Sequence, residues 1–189
     1  MVLKVIAGTA RGRILKISPQ GESIRPMLGR IKKSIFDIIQ FKIYNSVFID
    51  LFAGVGSVGI EALSRGAKKV VFAELSNISL SLIEHNINIL GFNDRAEIVK
   101  CDVIKDFYVL KNKYDIVFIG PPYKDRNKSP LALTYPALKN AVRYDILNDA
   151  SVLITQKHIK EPVGNVAGIE CFRIEKYGDT VISFYKKQE

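Results

Sequence analysis

Cysteine and histidine are almost missing from this sequence, and tryptophan is missing altogether; Cys101, Cys171, His85 and His158 are the whole complement of the first two. The cysteines lie far apart with no metal-ligand spacing, which points away from a disulfide framework and to reduced core thiols in a cytoplasmic protein. No metal site is expected. No apolar run approaches the roughly 18 to 20 residues that a membrane span requires. The opening "MVLKVIAG" is too short for a signal peptide and has no small-residue cleavage site after it. Acidic residues are scarce over residues 1–42, where Glu22 and Asp37 face nine lysines and arginines for a net charge of +7. The whole chain carries +9, so residues 43–189 contribute only +2. A basic arm on a nearly neutral body points to a polyanionic partner such as nucleic acid, against the plainer reading of a solubilising surface.

What is present describes one ordinary domain, with 189 residues, 48% hydrophobic and 25% charged. "KVIAG" and "RGRILKI", separated around Gly8-Thr9-Ala10, predict a small N-terminal β-hairpin. "SPQGESIRP" reads as a linker, and Pro26 suits a helix start. Residues 1–25 are therefore expected to form the basic hairpin and linker, and residues 26–189 the main domain. Ile31, Ile35, Ile38 and Ile39 make an apolar stripe at helical spacing, leaving Arg30, Lys32 and Lys33 to show positive charge elsewhere. From residue 46 the pattern alternates between strand and helix. The strands are "VFIDLF", "KVVFAE", "AEIVKCD", "YDIVFIG" and "SVLITQ", and the first two intervening helices close at Gly66 and Gly91. Pro130 and Pro136 each suit a first helical turn, predicting one turn plus a helix over residues 130–145. "IECFRIEK" and "TVISFYKK", joined by the tight "YGD" turn, complete seven strands. The expected fold class is α/β: a doubly wound, mostly parallel, Rossmann-like sheet with one antiparallel strand.

Ligands of such sheets bind at the carboxyl ends of the strands, where strand order reverses. Three strand ends carry suitable chemistry. "DLFAGVGSVG", Asp50 to Gly59, supplies glycines that let the backbone approach a ligand and aim the following helix at it. Gly54, Gly56 and Gly59 match the dinucleotide pattern G-x-G-x-x-G with Glu74 following, so a nicotinamide or flavin site is one reading. Asp50, however, would repel a pyrophosphate and attract a cationic amine, such as the amino-acid end of S-adenosylmethionine. Glu74 can accept both hydroxyls of a ribose, and Asp102 can accept from an adenine amino group. The third strand end is "IGPPY". Its prolines fix the backbone, presenting the Gly120 and Pro121 carbonyls in set directions. Tyr123 adds a flat face on which a base can stack.

These stretches together resemble the RsmD family of bacterial methyltransferases, which modify guanine N2 in 16S ribosomal RNA. The likeness runs over essentially the whole chain. "DLFAG.G" and "PPY" occur in many amino-methyltransferases, whereas "IAG..RGR" and the closing "YGDT.ISFY" are narrower signatures. The resemblance implies a class I methyltransferase fold with an N-terminal hairpin, a cytoplasmic monomer, and S-adenosyl-L-methionine as donor. Its cofactor contacts carry over to Asp50, Gly54, Gly56, Glu74 and Asp102, with Phe52, Leu75 and Val103 beside them. Gly120, Pro121, Pro122 and Tyr123 become the catalytic, base-holding loop. The implied partner is 16S rRNA in the small ribosomal subunit or its assembly intermediate, with Arg11, Arg13, Arg25 and Arg30 as candidate phosphate contacts.

Three departures from the family pattern stand out. Gly120 occupies a position where Asp or Asn is usual before the prolines. "MLGR" replaces a Thr and a small polar or acidic residue before Arg30, and "ITQKH" lacks a glutamate often found near the end of that strand. A preorganised acceptor lost at Gly120 corresponds to roughly a 10²–10³-fold slower transfer. Three readings therefore stand: an rRNA guanine methyltransferase using backbone or other acceptors, a cofactor-binding RNA module with weakened chemistry, and a methyltransferase of DNA adenine.

Overall fold

A computed structural model of the chain describes residues 2–17, 27–110, 112–125 and 127–188. The linker with Pro26, the boundary between residues 25 and 26, and Arg25 lie outside the described residues. Two helices, α1 (Gly29–Ile38) and α2 (Gln40–Ile43), lead into strand β1 (Val47–Leu51). Then follow α3 (Ser57–Ser64), β2 (Lys69–Glu74), α4 (Asn77–Leu90), β3 (Ala96–Lys100) and β4 (Tyr114–Ile119). The chain ends with α5 (Thr134–Arg143), β5 (Leu147–His158), β6 (Ile169–Tyr177) and β7 (Thr180–Lys187).

The seven strands form one sheet in the order β3-β2-β1-β4-β5-β7-β6. β1 pairs in parallel with β2 on one side and β4 on the other, so Asp50 lies between Phe72 and Phe118. β7 runs antiparallel to both β5 and β6. The chain winds outward from β1 through β2 to β3 and then crosses back to β4. The topological switch point, where such sheets hold ligands, is thus between the carboxyl ends of β1 and β4.

Each face of the sheet is covered by helices, which is why its central strands are apolar on both sides. From β1, Phe48 enters one core with Ile35 and Phe36 of α1 and Ile60 and Leu63 of α3. Ile49 and Leu51 enter the other, with Ala137, Leu138 and Ala141 of α5. Among the described residues no helix is long and apolar enough to cross a membrane.

The N-terminal hairpin forms, bridged between Lys4 and Ile14, and it packs onto the body. Leu3, Val5, Ala10 and Leu15 are buried in the first core. Its turn sits on the last residue of α3: the Thr9 N–H donates to the Ser64 carbonyl at 2.8 Å, and Ser64 Oγ donates to the Ala7 carbonyl at 2.6 Å. A Cβ at Gly8 would stand 1.8 Å from that same Ser64 oxygen, at a left-handed φ of +83°, so only glycine fits.

Three sequence expectations need correction. Cys171 is not a core thiol: it is exposed on β6, whereas Cys101 is buried. Lys32 does not show its charge at the surface; it is 1% exposed. The hairpin folds over α1 and α3 and encloses its ammonium, which donates to the Lys4 and Ser57 carbonyls at 3.2 Å and pairs with Glu61 at 3.3 Å. Pro130 does not start a helical turn. It pairs with Lys124 in an isolated antiparallel bridge, closed by the Ser129 N–H on Asp125 Oδ1 at 2.8 Å. Pro136 does lie in the first turn of α5.

Candidate active site

Asp50 is the penultimate residue of β1 and is 1% exposed. Its Oδ2 accepts the Gly59 N–H at 2.9 Å, which satisfies one of the free donors at the start of α3. That helix needs help there, because its N-cap is Gly56, in the left-handed region at φ 80° with no side chain to cap it. Burial pushes the Asp50 carboxyl up to about 7, with the Glu74 charge adding to the rise and the Gly59 bond and Lys32 opposing it. Gly59 matters for packing as well: a Cβ there would stand 2.3 Å from the Phe72 ring. The loop between β1 and α3 turns sharply, with Phe52 at φ 66° and Gly54 at φ 57°. A left-handed phenylalanine is a locally strained conformation.

Glu74, at the end of β2, organises this loop. Its Oε2 accepts the Gly54 N–H at 2.7 Å, and its Oε1 accepts the Leu75 and Ser76 N–H groups, both at 2.9 Å. Two carboxylate oxygens offer about four acceptor sites, so one remains for a ligand hydroxyl, and not the two that acceptance of both ribose hydroxyls would need. The next strand end is tied to it by the Cys101 N–H, which donates to the Glu74 carbonyl at 3.1 Å. There Asp102 Oδ1 accepts from the Ile104 N–H at 2.9 Å and the Lys105 N–H at 3.3 Å. Asp102 Oδ2 has no hydrogen bond among the described residues. Beside these carboxylates Leu75 and Ile78 are 54% and 48% exposed, an apolar surface of the kind a purine covers. Val103 turns its side chain into the second core instead, leaving its backbone as the part nearest the site.

The proline loop closes the other side of the switch point. The Gly120 N–H donates to the Leu51 carbonyl at 3.3 Å, joining the loop after β4 to the one after β1. Pro121 is buried, Pro122 exposed and Tyr123 half-buried. The Tyr123 hydroxyl accepts from Gln156 Nε2 at 2.8 Å and donates to Thr180 Oγ1 at 3.3 Å. The His158 ring meets the tyrosine ring edge-on at 5.7 Å between centroids. Gln156, His158 and Thr180 were not among the residues the sequence singled out for the site. Their only signal was position, in "ITQKH" at the end of β5 and at the Thr of "YGDT".

The arginines divide. Arg11 and Arg13 are exposed on the hairpin, whose turn sits at the far end of α3 from the glycine loop. An eight-residue helix is about 12 Å long, so these two side chains flank the site at a distance. Arg30, exposed at the start of α1, lies nearer. One turn on, Ser34 hydrogen-bonds Tyr177, which pairs with Thr180 across the turn between β6 and β7.

A seven-stranded sheet of this order, with acidic groups at three successive strand ends and a proline loop across the switch point, defines a Rossmann-like methyltransferase fold. The sequence family described as conserved hypothetical protein 95 matches residues 3–186. The chain belongs to this family, that of the RsmD methyltransferases. A Bacillus subtilis protein named as a candidate rRNA methyltransferase is 28% identical, over 98% of this chain and 100% of its own. The ribosomal RNA small subunit methyltransferase D of Haemophilus influenzae is 36% identical over 124 residues, 64% of each chain and so just under two thirds of that relative's length. The solved structure of a candidate methylase from Haemophilus influenzae superposes with a TM-score of 0.79 at 27% identity, covering 100% of both chains.

Proposed function

We propose that the protein methylates the exocyclic N2 amine of a guanine in small-subunit ribosomal RNA, using S-adenosylmethionine. The observation that carries this reading is the switch point itself. Acidic strand ends suited to an aminoacyl nucleoside stand on one side of it, and a rigid loop with an anchored tyrosine stands on the other. The names of the relatives favour rRNA as the substrate class.

The donor set fits the cofactor. Asp50 would be the buried partner of its ammonium, whose charge would favour the ionised carboxylate; Glu74 retains an acceptor site for a ribose hydroxyl, and Asp102 retains Oδ2 for an adenine amine. The turned backbone at Phe52, Gly54 and Gly56 allows close approach, and Leu75 offers apolar contact. The cofactor's contribution is an electrophilic methyl group: an N–C bond forms as the S–C bond breaks, the electron pair stays on sulfur, and the nitrogen's proton passes to water.

The remaining work belongs to the chain. Guanine N2 is a weak nucleophile because its lone pair is delocalised into the ring. Acceptors on its N–H groups favour a pyramidal nitrogen, and holding it in line with the methyl group lowers the barrier further. The Pro121 carbonyl, fixed by two consecutive prolines, is one such acceptor. The Tyr123 ring, held by its hydroxyl at Gln156 and Thr180, is the stacking surface. A base in folded RNA must be turned out of its stack to reach it, and cationic side chains on the hairpin and α1 hold the surrounding phosphates. The basic hairpin and linker up to residue 25 act in this scheme as an RNA-holding unit in front of the domain from residue 26.

Labelled methyl transfer to 16S rRNA or immature small subunits tests the proposal, with N2-methylguanosine expected among the product nucleosides. Methylated adenine would replace the substrate assignment. No transfer above a Glu74→Ala control would leave a cofactor-binding RNA module in place of an enzyme.

A further inference from the structure

Gly120 offers no side-chain acceptor to a base amine, yet the neighbouring strand brings one to the same loop, at Tyr123. β4 and β5 run in parallel, with Phe118 opposite Ile154 and Ile119 opposite Thr155. Side chains two residues apart share a face of a sheet, and Phe118 and Ile154 both enter the first core. Continued one step past the last of these pairs, the register sets Gly120 beside Gln156, whose side chain alternates onto the face of Ile154. The Gln156 amide is oriented by its neighbours. Its Nε2 donates to the Tyr123 hydroxyl at 2.8 Å, and that hydroxyl spends its single proton on Thr180 Oγ1 at 3.3 Å. Gln156 Oε1 therefore faces away from the tyrosine, and it accepts no hydrogen bond among the described residues. The side chain is half-buried, so an amine docking beside Tyr123 finds the oxygen within a partly desolvated rim.

We propose that Gln156 is a catalytic residue, its Oε1 binding an N–H of the target amine in place of the oxygen that Gly120 lacks; this rests on the methyl-transfer reading above. A carboxamide is an acceptor and not a base. It steadies the nitrogen while the N–C bond forms and the S–C bond breaks, and the released proton goes to water. The same group confers selectivity. A base presenting a carbonyl at this point would set two acceptors against each other and leave both unpaired.

The test compares Gln156→Leu and Gln156→Glu by labelled methyl transfer to 16S rRNA at saturating cofactor and RNA, with cofactor affinity measured separately by calorimetry. For Gln156→Leu, kcat is expected to fall roughly 10²–10³-fold with cofactor affinity unchanged. For Gln156→Glu, which keeps an acceptor of the same reach, most of the lost rate is expected to return. Wild-type kcat in the leucine variant overturns the proposal. So does a glutamate variant as slow as the leucine one, which would place the role of Gln156 in its donation to Tyr123. If the leucine variant also loses cofactor binding, the glutamate variant decides. No transfer by the wild-type protein sinks the enzymatic reading, and this inference with it.

Discussion

The ring of Phe118 lies where a side chain at Gly120 would begin: a Cβ built on Gly120 would stand 2.6 Å from Phe118 Cε1 and 3.1 Å from Cζ. The two positions share a face of the sheet, so the ring leans along β4 into the space the glycine leaves. The place of a side chain at Gly120 is thus filled by an aromatic ring.

An aspartate placed at Gly120 should therefore destabilise the protein. Gly120→Asp must push the Phe118 ring, which is 2% exposed in a packed core, and overpacking of this kind costs about 1–3 kcal/mol. The double variant Gly120→Asp with Phe118→Leu should recover part of that stability. Urea denaturation of the single and double variants checks the order. A single variant as stable as wild type would mean that the ring moves aside freely.

Asp50 should make the stability of the protein fall as pH rises from about 4 towards about 7. Its folded-state pKa, about 7, lies above the unfolded value of about 4. Between those values the folded state binds more protons than the unfolded one, so unfolding becomes easier as pH increases across that window. Asp50→Asn keeps an oxygen for the Gly59 N–H and cannot ionise. Its stability relative to wild type should grow between about pH 5 and pH 7, within the window the two pKa values set. The same change should weaken binding of a cationic cofactor, by roughly tenfold or more for a lost hydrogen bond to a charged group. Denaturation at the two pH values and calorimetry with the cofactor read both effects. A pH-independent stability difference would mean that burial does not raise this carboxyl.

Glu61 should be worth more than Lys32 to the docking of the hairpin. Glu61 is fully buried and accepts the Ile6 and Ala7 N–H groups at 2.8 and 3.0 Å as well as Arg65 Nε at 2.8 Å. Glu61→Gln strips Lys32 of its countercharge. The Lys32 pKa is already lowered by burial, with the neighbouring Glu61 opposing that effect. Breaking a buried pair in this sense costs about 3–5 kcal/mol. Lys32→Met leaves Glu61 with Arg65 and both backbone donors and should cost much less. Equilibrium unfolding, with amide exchange at Ile6 and Ala7 as the local readout, gives the ranking. The reverse order would place the stabilisation in the Lys32 contacts with the Lys4 and Ser57 carbonyls.

The sheet was legible because its central strands are continuous β-branched and aromatic runs bounded by glycine, and the helices between them keep a helical period. The placement of the acidic and glycine-rich segments was legible too, since Asp50, the glycines, Glu74 and Asp102 each sit at a strand end and the topology gathers such ends. What escaped depends on contacts between distant segments. Lys32 looks like a surface cation until the hairpin closes over it. Pro130 looks like a helix start until Asp125 and Ser129 close their own loop around it. Gln156 is 33 residues from Tyr123 in sequence, and only the register of β5 on β4 brings its amide to the proline loop. The crowding of Gly120 by Phe118 depends on one side-chain direction, which no residue pattern encodes.

The hairpin arginines should serve RNA binding without serving the cofactor. Arg11 and Arg13 are exposed and form no ion pair among the described residues; Arg13 reaches only the Ile89 carbonyl, at 3.1 Å. The hairpin is held instead by Leu3, Val5 and Leu15 in the core and by backbone bonds to Glu61 and Ser64, so replacing both arginines leaves its docking intact. Arg11→Gln with Arg13→Gln removes two potential phosphate contacts. Each contact contributes about 0.7–0.9 to the slope of log affinity against log salt. The double variant should therefore bind 16S rRNA more weakly with a slope shallower by about 1.4–1.8, while cofactor affinity stays at the wild-type value. Filter binding over a salt series and calorimetry separate the two. An unchanged salt slope would move the RNA contact to Arg30 and the α1 side of the site. A matching fall in cofactor affinity would mean that the hairpin had come away from α3.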